Sequence, residues 1–525
     1  MRKLWRFTGG IKLKGFNKPS NTSSIHQIPI PEKLILPLRQ HIGEATEPLI
    51  SIGQRVFKGE LLASSTSFIS APVHASSSGT IVDIGKYSIP HQSGISETCI
   101  VIETDGLDEW DSNITANIHP EKLSRENLHT IVKSAGIVGL GGAAFPSAAK
   151  LKPTRKINSL IINGVECEPY ISCDDALMQS RPDEIIRGVI LLQRMLEPNE
   201  CIIAIEDNKP KAIDSLRTAL EKLANAGVLD TTNISVIPIP TIFPAGSEKQ
   251  LVKVLTGKEI PQHGLPYEVG VVCLNVGTTS AIYDAVYHGQ PLISRVVTVT
   301  GSEVNQPDNY NVLLGTPVVN LLNAAGSIGF SKYKLIMGGP MMGMNLPNSD
   351  VPVVKATNCI LVEKAEQEKG TKVMPCIRCG TCTTVCPMKL LPQQLYWHAK
   401  SKNLEKLDHF NLSDCIECGC CAVVCPSKIP LVHYFRYAKS EKKEHEIKLK
   451  IADQSRIRSL VRESRLEKSK REQEERKAKR KAERKKKKAS IPKKDKAIEG
   501  QSTSVPEKIE DKGVKTKKVA KIAKG

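Results

Sequence analysis

Three features of the sequence predict a multidomain α/β protein with a β-rich front end and a cysteine-rich back end. Two cysteine runs of identical spacing stand between residues 376 and 426. Helical and extended patterns alternate through residues 121–238, and short extended segments broken by glycine and proline fill residues 28–102. A chain of 525 residues is too long for one core and divides into several units. The expected units are residues 1–112, β-rich; 113–239, α/β; 240–340, a third mixed unit; 341–365, a linker; 366–440, the cysteine domain; and 441–525, a charged tail.

In the first unit, alternation of apolar and polar residues over Thr80–Ile84 and Cys99–Glu103 marks strands, and Gly53 and Gly59 bracket a further extended stretch. The arrangement is similar to the barrel-sandwich fold of lipoyl and biotinyl carriers. A carrier needs a lysine at its hairpin tip, and the SSTSF stretch has none. The expectation is therefore a structural module or docking surface.

The second unit reads helix, glycine loop, strand, helix, strand, helix, strand. The helices are expected over Glu121–Ala135, Pro182–Leu196 and Lys209–Ala226, and the strands over Ser159–Asn163, Cys201–Glu206 and Asn233–Pro238. Helices alternating with short buried strands imply a largely parallel, layered sheet. Gly139, Gly141 and Gly142 precede a small-residue stretch, Ala143–Lys150, expected to be helical. Such a loop lets backbone N–H groups approach phosphate oxygens, and Lys150 offers a countercharge. The pattern is not the dinucleotide fingerprint, and a plain tight turn remains an open reading. Asn163, Glu166 and Glu168 fall at a strand end, where α/β sheets bind ligands, though ordinary capping would also explain such acids.

The third unit is expected to contain the strand Val271–Val276, the helix Thr279–Val286 and a strand in RVVTVTGSEV. Its Gly/Met-rich turn KLIMGGPMMGMNL reads as core and loop packing.

The cysteine runs are Cys376, Cys379, Cys382, Cys386, Pro387 and Cys415, Cys418, Cys421, Cys425, Pro426. Each is C-x2-C-x2-C-x3-C-P, the bacterial [4Fe-4S] spacing, in which the fourth cysteine serves the other cluster of a two-cluster domain. One cluster is then expected on Cys376, Cys379, Cys382 and Cys425, and the other on Cys386, Cys415, Cys418 and Cys421. Four thiolates also suit zinc, although its sites usually come from separated pairs, and disulfides would require an oxidising compartment. Cys420 falls off the cadence and is expected beside a cluster, with an exchange of roles with Cys421 left open. Leu390–Leu407, between the runs, is expected to be helical.

The net charge is +19, but from residue 441 onward there are 31 Lys and Arg against 15 Asp and Glu, so the preceding body is close to neutral. The tail reads as a solvated helix over 441–488 followed by a segment that buries no core. Contact with anionic lipid suits it better than nucleic acid, because no stacking aromatics or groove-reading module accompany the charge. No run approaches 18 apolar residues and the N-terminus lacks a cleavable apolar segment, so a non-spanning protein on the cytoplasmic side is expected.

At GLGGAAFP, NGVECEPYISCDD, PAGSEKQL and LNVGTTSAI, followed by the doubled cysteine run, the chain resembles the RnfC/RsxC family of Rnf (Rsx) electron-transport complexes. The resemblance runs from residue 1 to about 440. It implies a barrel-sandwich domain, a domain similar to the NADH- and FMN-binding flavoprotein of respiratory complex I, a β-grasp-like domain and a two-[4Fe-4S] ferredoxin-like domain. FMN is then implied at Gly139, Gly141 and Gly142 with Lys150. Asn163 and Glu166 are implied at the isoalloxazine and ribityl end, Glu168 nearer the nicotinamide, Glu248 near an acidic pair, and Asn275 and Thr278 closing the pocket. The implied activity is that of a peripheral subunit of an ion-translocating oxidoreductase at the cell inner membrane, with NAD(H) as substrate. Its implied partners are the membrane-embedded and peripheral subunits of the same complex, and ferredoxin. No covalent nucleophile is implied. Two other readings stay open: a soluble flavin/iron–sulfur reductase of the cobalamin-reductase type, and a non-catalytic adaptor that carries clusters without flavin.

Overall fold

The computed structural model describes residues 2–13, 24–91, 93–117, 119–227, 230–327, 333–364 and 373–490, with the side chain of residue 488 left out. The part of the tail after residue 490, expected to bury no core, lies outside the described residues. Met1–Lys443 forms one unit and Glu444–Gly525 another.

Two antiparallel sheets make the N-terminal module. One runs Lys33–Pro37, Ser96–Thr104, Gly79–Ser88, Arg55–Val56; the other runs Glu47–Pro48, Leu61–Ser64, Val73–His74. The period-two pattern puts Leu34, Leu36, Leu62, Ile81, Ile100 and Ile102 wholly inside.

The α/β unit holds a four-stranded, all-parallel sheet in the order Ile234–Ile239, Glu200–Glu206, Ser159–Gly164, Val271–Asn275. Continuous apolar runs such as CIIAI suit strands covered on both faces, and Cys201–Ile205 is fully buried. The chain steps outward from Ser159–Gly164 through two strands, then returns with Val271–Asn275 on its other side. A switch point therefore lies between the ends of those two strands, where Asn163 and Asn275 are register partners. Val271–Asn275 and the helix Val276–His288, expected in the third unit, thus belong to the second. The boundary was hidden because a buried strand looks the same whichever sheet receives it.

The third sheet is mixed, in the order Ile25–Gln27, Asp308–Leu313, Ser294–Thr300, Cys359–Lys364, Tyr333–Met337, Met344–Asn345. Residues 341–365, expected as a linker, supply the strand Cys359–Lys364 in its interior, with Ile360, Leu361 and Val362 buried. Ile25–Gln27 reaches this sheet from the N-terminal region, and residues of the described stretch 2–13 lie against distant parts of the chain. Arg2 pairs with Glu200, the Trp5 N–H donates to the Val254 carbonyl, and Ile11 bridges to Phe243. The Gly10 N–H donates to the Val385 carbonyl at 3.0 Å.

In the cysteine domain the two runs repeat one backbone conformation. Positive φ occurs at Arg378, Gly380 and Lys389, and again at Glu417, Gly419 and Lys428, each 39 residues later. Thr381–Thr384 and Cys420–Val423 are the corresponding single-turn helices. Between the runs, the expected helix is two, Pro392–Lys400 and Leu404–His409. Leu395, Leu407, Leu412 and Phe435 fill the small core. The last helix spans Leu431–Ala489; its start, through Ala438, packs into this core, while the described side chains from Glu444 onward are exposed. Among the described residues no helix is long and apolar enough to cross a membrane.

Candidate functional site

The glycine loop is a tight hairpin at the switch point of the parallel sheet. Val138 bridges Pro146, and the Gly139 N–H donates to the Phe145 carbonyl at 2.8 Å. Gly142 has φ +111 with no atom within 4 Å of where a Cβ would stand, whereas Gly141 backs onto Asn275. The need for a positive φ therefore sits at Gly142, and Gly141 is constrained by close approach. The helix expected over Ala143–Lys150 is only Ser147–Lys150, because the hairpin closes through Pro146 before the chain can coil. Any anion here would meet the N–H groups of the loop, not the end of that helix.

Buried Thr278 pins the loop from beneath: its hydroxyl accepts from the Leu140 N–H at 2.9 Å and donates to the Val138 carbonyl at 3.3 Å. Asn275 caps the helix Val276–His288, accepting from the Gly277 N–H at 2.8 Å, and donates to Asp174 at 2.7 Å. Asn163 donates to the Gly246 carbonyl at 2.9 Å and accepts from the Val165 N–H. Lys150 reaches Glu248 at 2.6 Å. Burial works against the lysine's charge, and the Glu248 carboxylate together with Cys273 more than offsets it, so the pKa lies above the ordinary value. Gly141, Asn275 and Asn163 thus meet at the switch point, and the Lys150–Glu248 pair sits against the Asn275 strand two residues back, where Lys150 donates to the Cys273 carbonyl at 3.3 Å.

Glu166 and Glu168 are placed differently. Glu166 is buried, ion-paired with Lys209 at 2.9 Å and accepting from the Asp174 N–H at 2.8 Å. Glu168 points toward the Gly/Met-rich turn, accepting from the Met341 and Met342 N–H groups at 2.8 and 3.0 Å. Sequence reasoning passed over Lys209, Asp174 and Arg295. Ligand atoms of Glu166, Cys173 and Asp174 lie within 4.8 Å of one another, but the Lys209 ammonium already supplies a cation there. Burial, and then Glu166, raise the Asp174 pKa to about 7. Arg295 is buried behind the loop, donating to the Leu140 and Lys355 carbonyls and facing a cavity of about 410 Å3. A single arginine in a strand gives no sequence signal of such a position; the CDD pair was the one hint for Asp174.

The cysteines gather about two small cavities. Cys376, Cys379, Cys382 and Cys425 line one; Cys386, Cys415, Cys418 and Cys421, with Cys420, line the other. Each draws three cysteines from one run and one from the other run. The donor sets suit thiolate-held iron–sulfur centres. The open loop at Gly142 suits a phosphate-bearing cofactor.

A barrel-sandwich module, an α/β core with a glycine loop at its switch point, a β-grasp sheet and a double cysteine domain define a multidomain architecture like that of the complex I flavoprotein. Known families match in that order: the RnfC barrel sandwich hybrid domain at residues 5–107, the Nuo51 FMN-binding domain at 132–284, the SLBB domain at 296–345 and the 4Fe-4S dicluster domain at 375–429. The chain belongs to the RnfC/RsxC family of ion-translocating oxidoreductase complexes. It is 44% identical over 421 residues to the family's ion-translocating oxidoreductase complex protein from Pseudomonas aeruginosa, covering 79% of this chain and 53% of that one. It is 44% identical over 415 residues to the corresponding protein from Vibrio cholerae (78% and 52%) and 43% over 419 residues to the one from Haemophilus influenzae (78% and 61%). The chain therefore spans between about half and three fifths of these relatives. Among solved structures, an NAD+-reducing [NiFe]-hydrogenase in the H2-reduced state is similar at 19% identity and TM-score 0.46, over 62% of this chain and 65% of that one.

Proposed function

We propose that this chain is the peripheral, electron-transferring subunit of an ion-translocating oxidoreductase complex on the cytoplasmic side of the cell inner membrane. It moves electrons between NAD(H) and ferredoxin or membrane-embedded partner subunits, using FMN and two [4Fe-4S] clusters. One observation carries the reading: two four-cysteine sites lie in the same compact unit as a glycine loop at a sheet switch point. A flavin exchanges electrons in pairs or singly and an iron–sulfur cluster exchanges them singly, which together suit a two-electron to one-electron converter.

The chain's own residues divide the work. The Gly139–Gly142 turn leaves room for a phosphate, and Lys150 is proposed as its countercharge. Thr278 and Asn275 fix the loop and the strand end beneath it, so the turn keeps its shape before any ligand arrives. Glu166, held by Lys209, steadies the strand-end loop from inside. Cys376, Cys379, Cys382 and Cys425 are assigned to one centre and Cys386, Cys415, Cys418 and Cys421 to the other, with Cys420 as a neighbouring thiol. The domains proposed are those expected from the sequence, except that the strand Val271–Asn275 is counted with the FMN-binding domain whose sheet it joins.

Anaerobic purification tests this directly. The protein should carry FMN that NADH bleaches, with about eight iron and eight labile sulfide, and should copurify with strongly apolar membrane subunits. Iron without flavin would favour the adaptor. Flavin and iron with no membrane partner would favour a soluble reductase.

A further inference from the structure

Glu168 and the turn it holds stand apart from the other strand-end residues. Its carboxylate takes the N–H groups of Met341 and Met342, and Gly339 has no room for a side chain because the Glu168 side chain lies there. The Met341 carbonyl in turn lies 2.8 Å from where a Cβ on Gly419 would stand, so the turn presses on the backbone between Cys418 and Cys420. Arg436 donates to the Met342 and Gly343 carbonyls at 2.7 and 3.3 Å and to Glu417 at 2.9 Å. Lys439 donates to Glu417 and to the Cys415 carbonyl. Cys167, next to Glu168, packs in one apolar group with Phe243, Met341, Cys418 and Cys420. The turn Gly338–Gly343 is thus a strap held by an acid on its N–H groups and by a base on its carbonyls.

We propose that Glu168 serves the second cysteine run and not the nicotinamide: through the Gly338–Gly343 strap it positions the Cys415–Cys421 loop, and its charge lowers the reduction potential of the centre held there. This rests on the reading that the two cysteine sites hold iron–sulfur clusters.

The physical argument is the placement of charge around two unequal sites. In the second site Cys386, Cys418 and Cys421 are buried and Cys415 is half-buried, whereas in the first Cys379 is exposed and Cys376, Cys382 and Cys425 are half-buried. Potentials of such centres respond to nearby charge and to solvent exposure, and a charge near a buried site is screened least. Adding an electron beside a carboxylate is disfavoured; adding it beside a guanidinium is favoured. The charged groups around the second run are Glu168 on the α/β side, Arg436, Lys439 and Glu417 on the helix side, and Asp414 paired with Lys249 at 3.2 Å. Of these groups, Glu168 is the one rooted in the strand-end loop of the candidate flavin site.

The test is an EPR-monitored redox titration of the full chain, with Cys382→Ser identifying the signal of the first-run centre by its loss. Glu168→Gln keeps the size and the acceptor oxygen while removing the charge. It should shift the midpoint of the second-run centre in the positive direction, leave the other midpoint in place, and leave FMN content and the KM for NADH unchanged. Arg436→Gln, which removes the positive charge on the strap's carbonyls, should shift the same midpoint in the negative direction. Unmoved midpoints in both variants, or a raised KM for NADH with unmoved midpoints in Glu168→Gln, would overturn the inference and return Glu168 to the nicotinamide. Absence of both signals in the unaltered protein would instead overturn the cluster reading, and this inference with it.

Discussion

Lys355 is wholly buried, yet its ammonium donates to the carbonyls of Pro72 at 2.9 Å and Gly136 at 2.7 Å, tying the N-terminal module to the entrance of the glycine loop. Burial lowers its pKa to about 7, and burial also holds the nearby His74 near 3, so that histidine stays neutral. Above pH 7 the folded chain has released a proton that the unfolded chain holds up to its ordinary value near 10.4. This lysine therefore adds stability as pH rises from about 7 toward 10, by up to about 1.4 kcal/mol per pH unit. Lys355→Met bares two carbonyls at a cost of about 1–3 kcal/mol. Melting curves should show the deficit of the variant growing between pH 7 and pH 9.5; a constant deficit would contradict the shift. At the cysteines, Cys382→Ser should remove one EPR signal and Cys420→Ser neither. At the loop, Gly142→Val forces a branched residue to φ +111 and Gly141→Val presses on Asn275. Both should lose FMN while keeping iron, measured as flavin fluorescence of the denatured supernatant beside an iron assay. The cysteine cadence was legible because metal geometry dictates spacing. The placement of Glu166 and Glu168 was not, since two acids two residues apart say nothing of which partner each will meet.

Among the elements, the helix Val276–His288 has the strongest tie to the site. Asn275 caps its first turn while also bonding Asp174, and Thr278, one turn in, carries the glycine loop. Asn275→Ala should lower stability by about 1 kcal/mol and weaken FMN retention, both read by thermal melts with and without added FMN. A melting point unchanged by the substitution would show that the cap contributes nothing. Some elements could be read directly: Pro182–Leu196 starts at a proline and shows an unbroken apolar stripe, and it forms over that span. The small-residue stretch Ala143–Lys150 misled, because helix propensity yields to a hairpin closed by tertiary contacts. Cys359–Lys364 escaped notice because a short apolar run without alternation looks the same in a linker as in a sheet interior.

For the whole molecule, the tail separates from the body in charge and in packing. Phe435 and Ala438 are core residues, and Lys442 still pairs with Asp408, so the body extends to about Lys443. Deleting residues 444–525 should leave cluster absorbance and melting point unchanged. It should weaken binding to anionic liposomes, at roughly 1 kcal/mol for each well-placed basic residue, and the lost binding should be the part that salt abolishes. Equal liposome binding by the two forms would place the lipid contact in the body. The leading segment has the opposite relation to the body. The contacts that seat Arg2, Trp5, Gly10 and Ile11 are supplied by Glu200, Val254, Val385 and Phe243, and those of Ile25–Gln27 by Asn309–Asn311. As a ribosome delivers this chain, the N-terminal module can close on its own strands early, since domains generally fold as they emerge. Arg2 waits for Glu200, Ile11 for Phe243 and Trp5 for Val254, and Gly10 waits longest, until Val385 has been translated. For this segment the order of synthesis and the order of completion thus part ways: it is made early, and its seat is complete only once the cysteine domain follows.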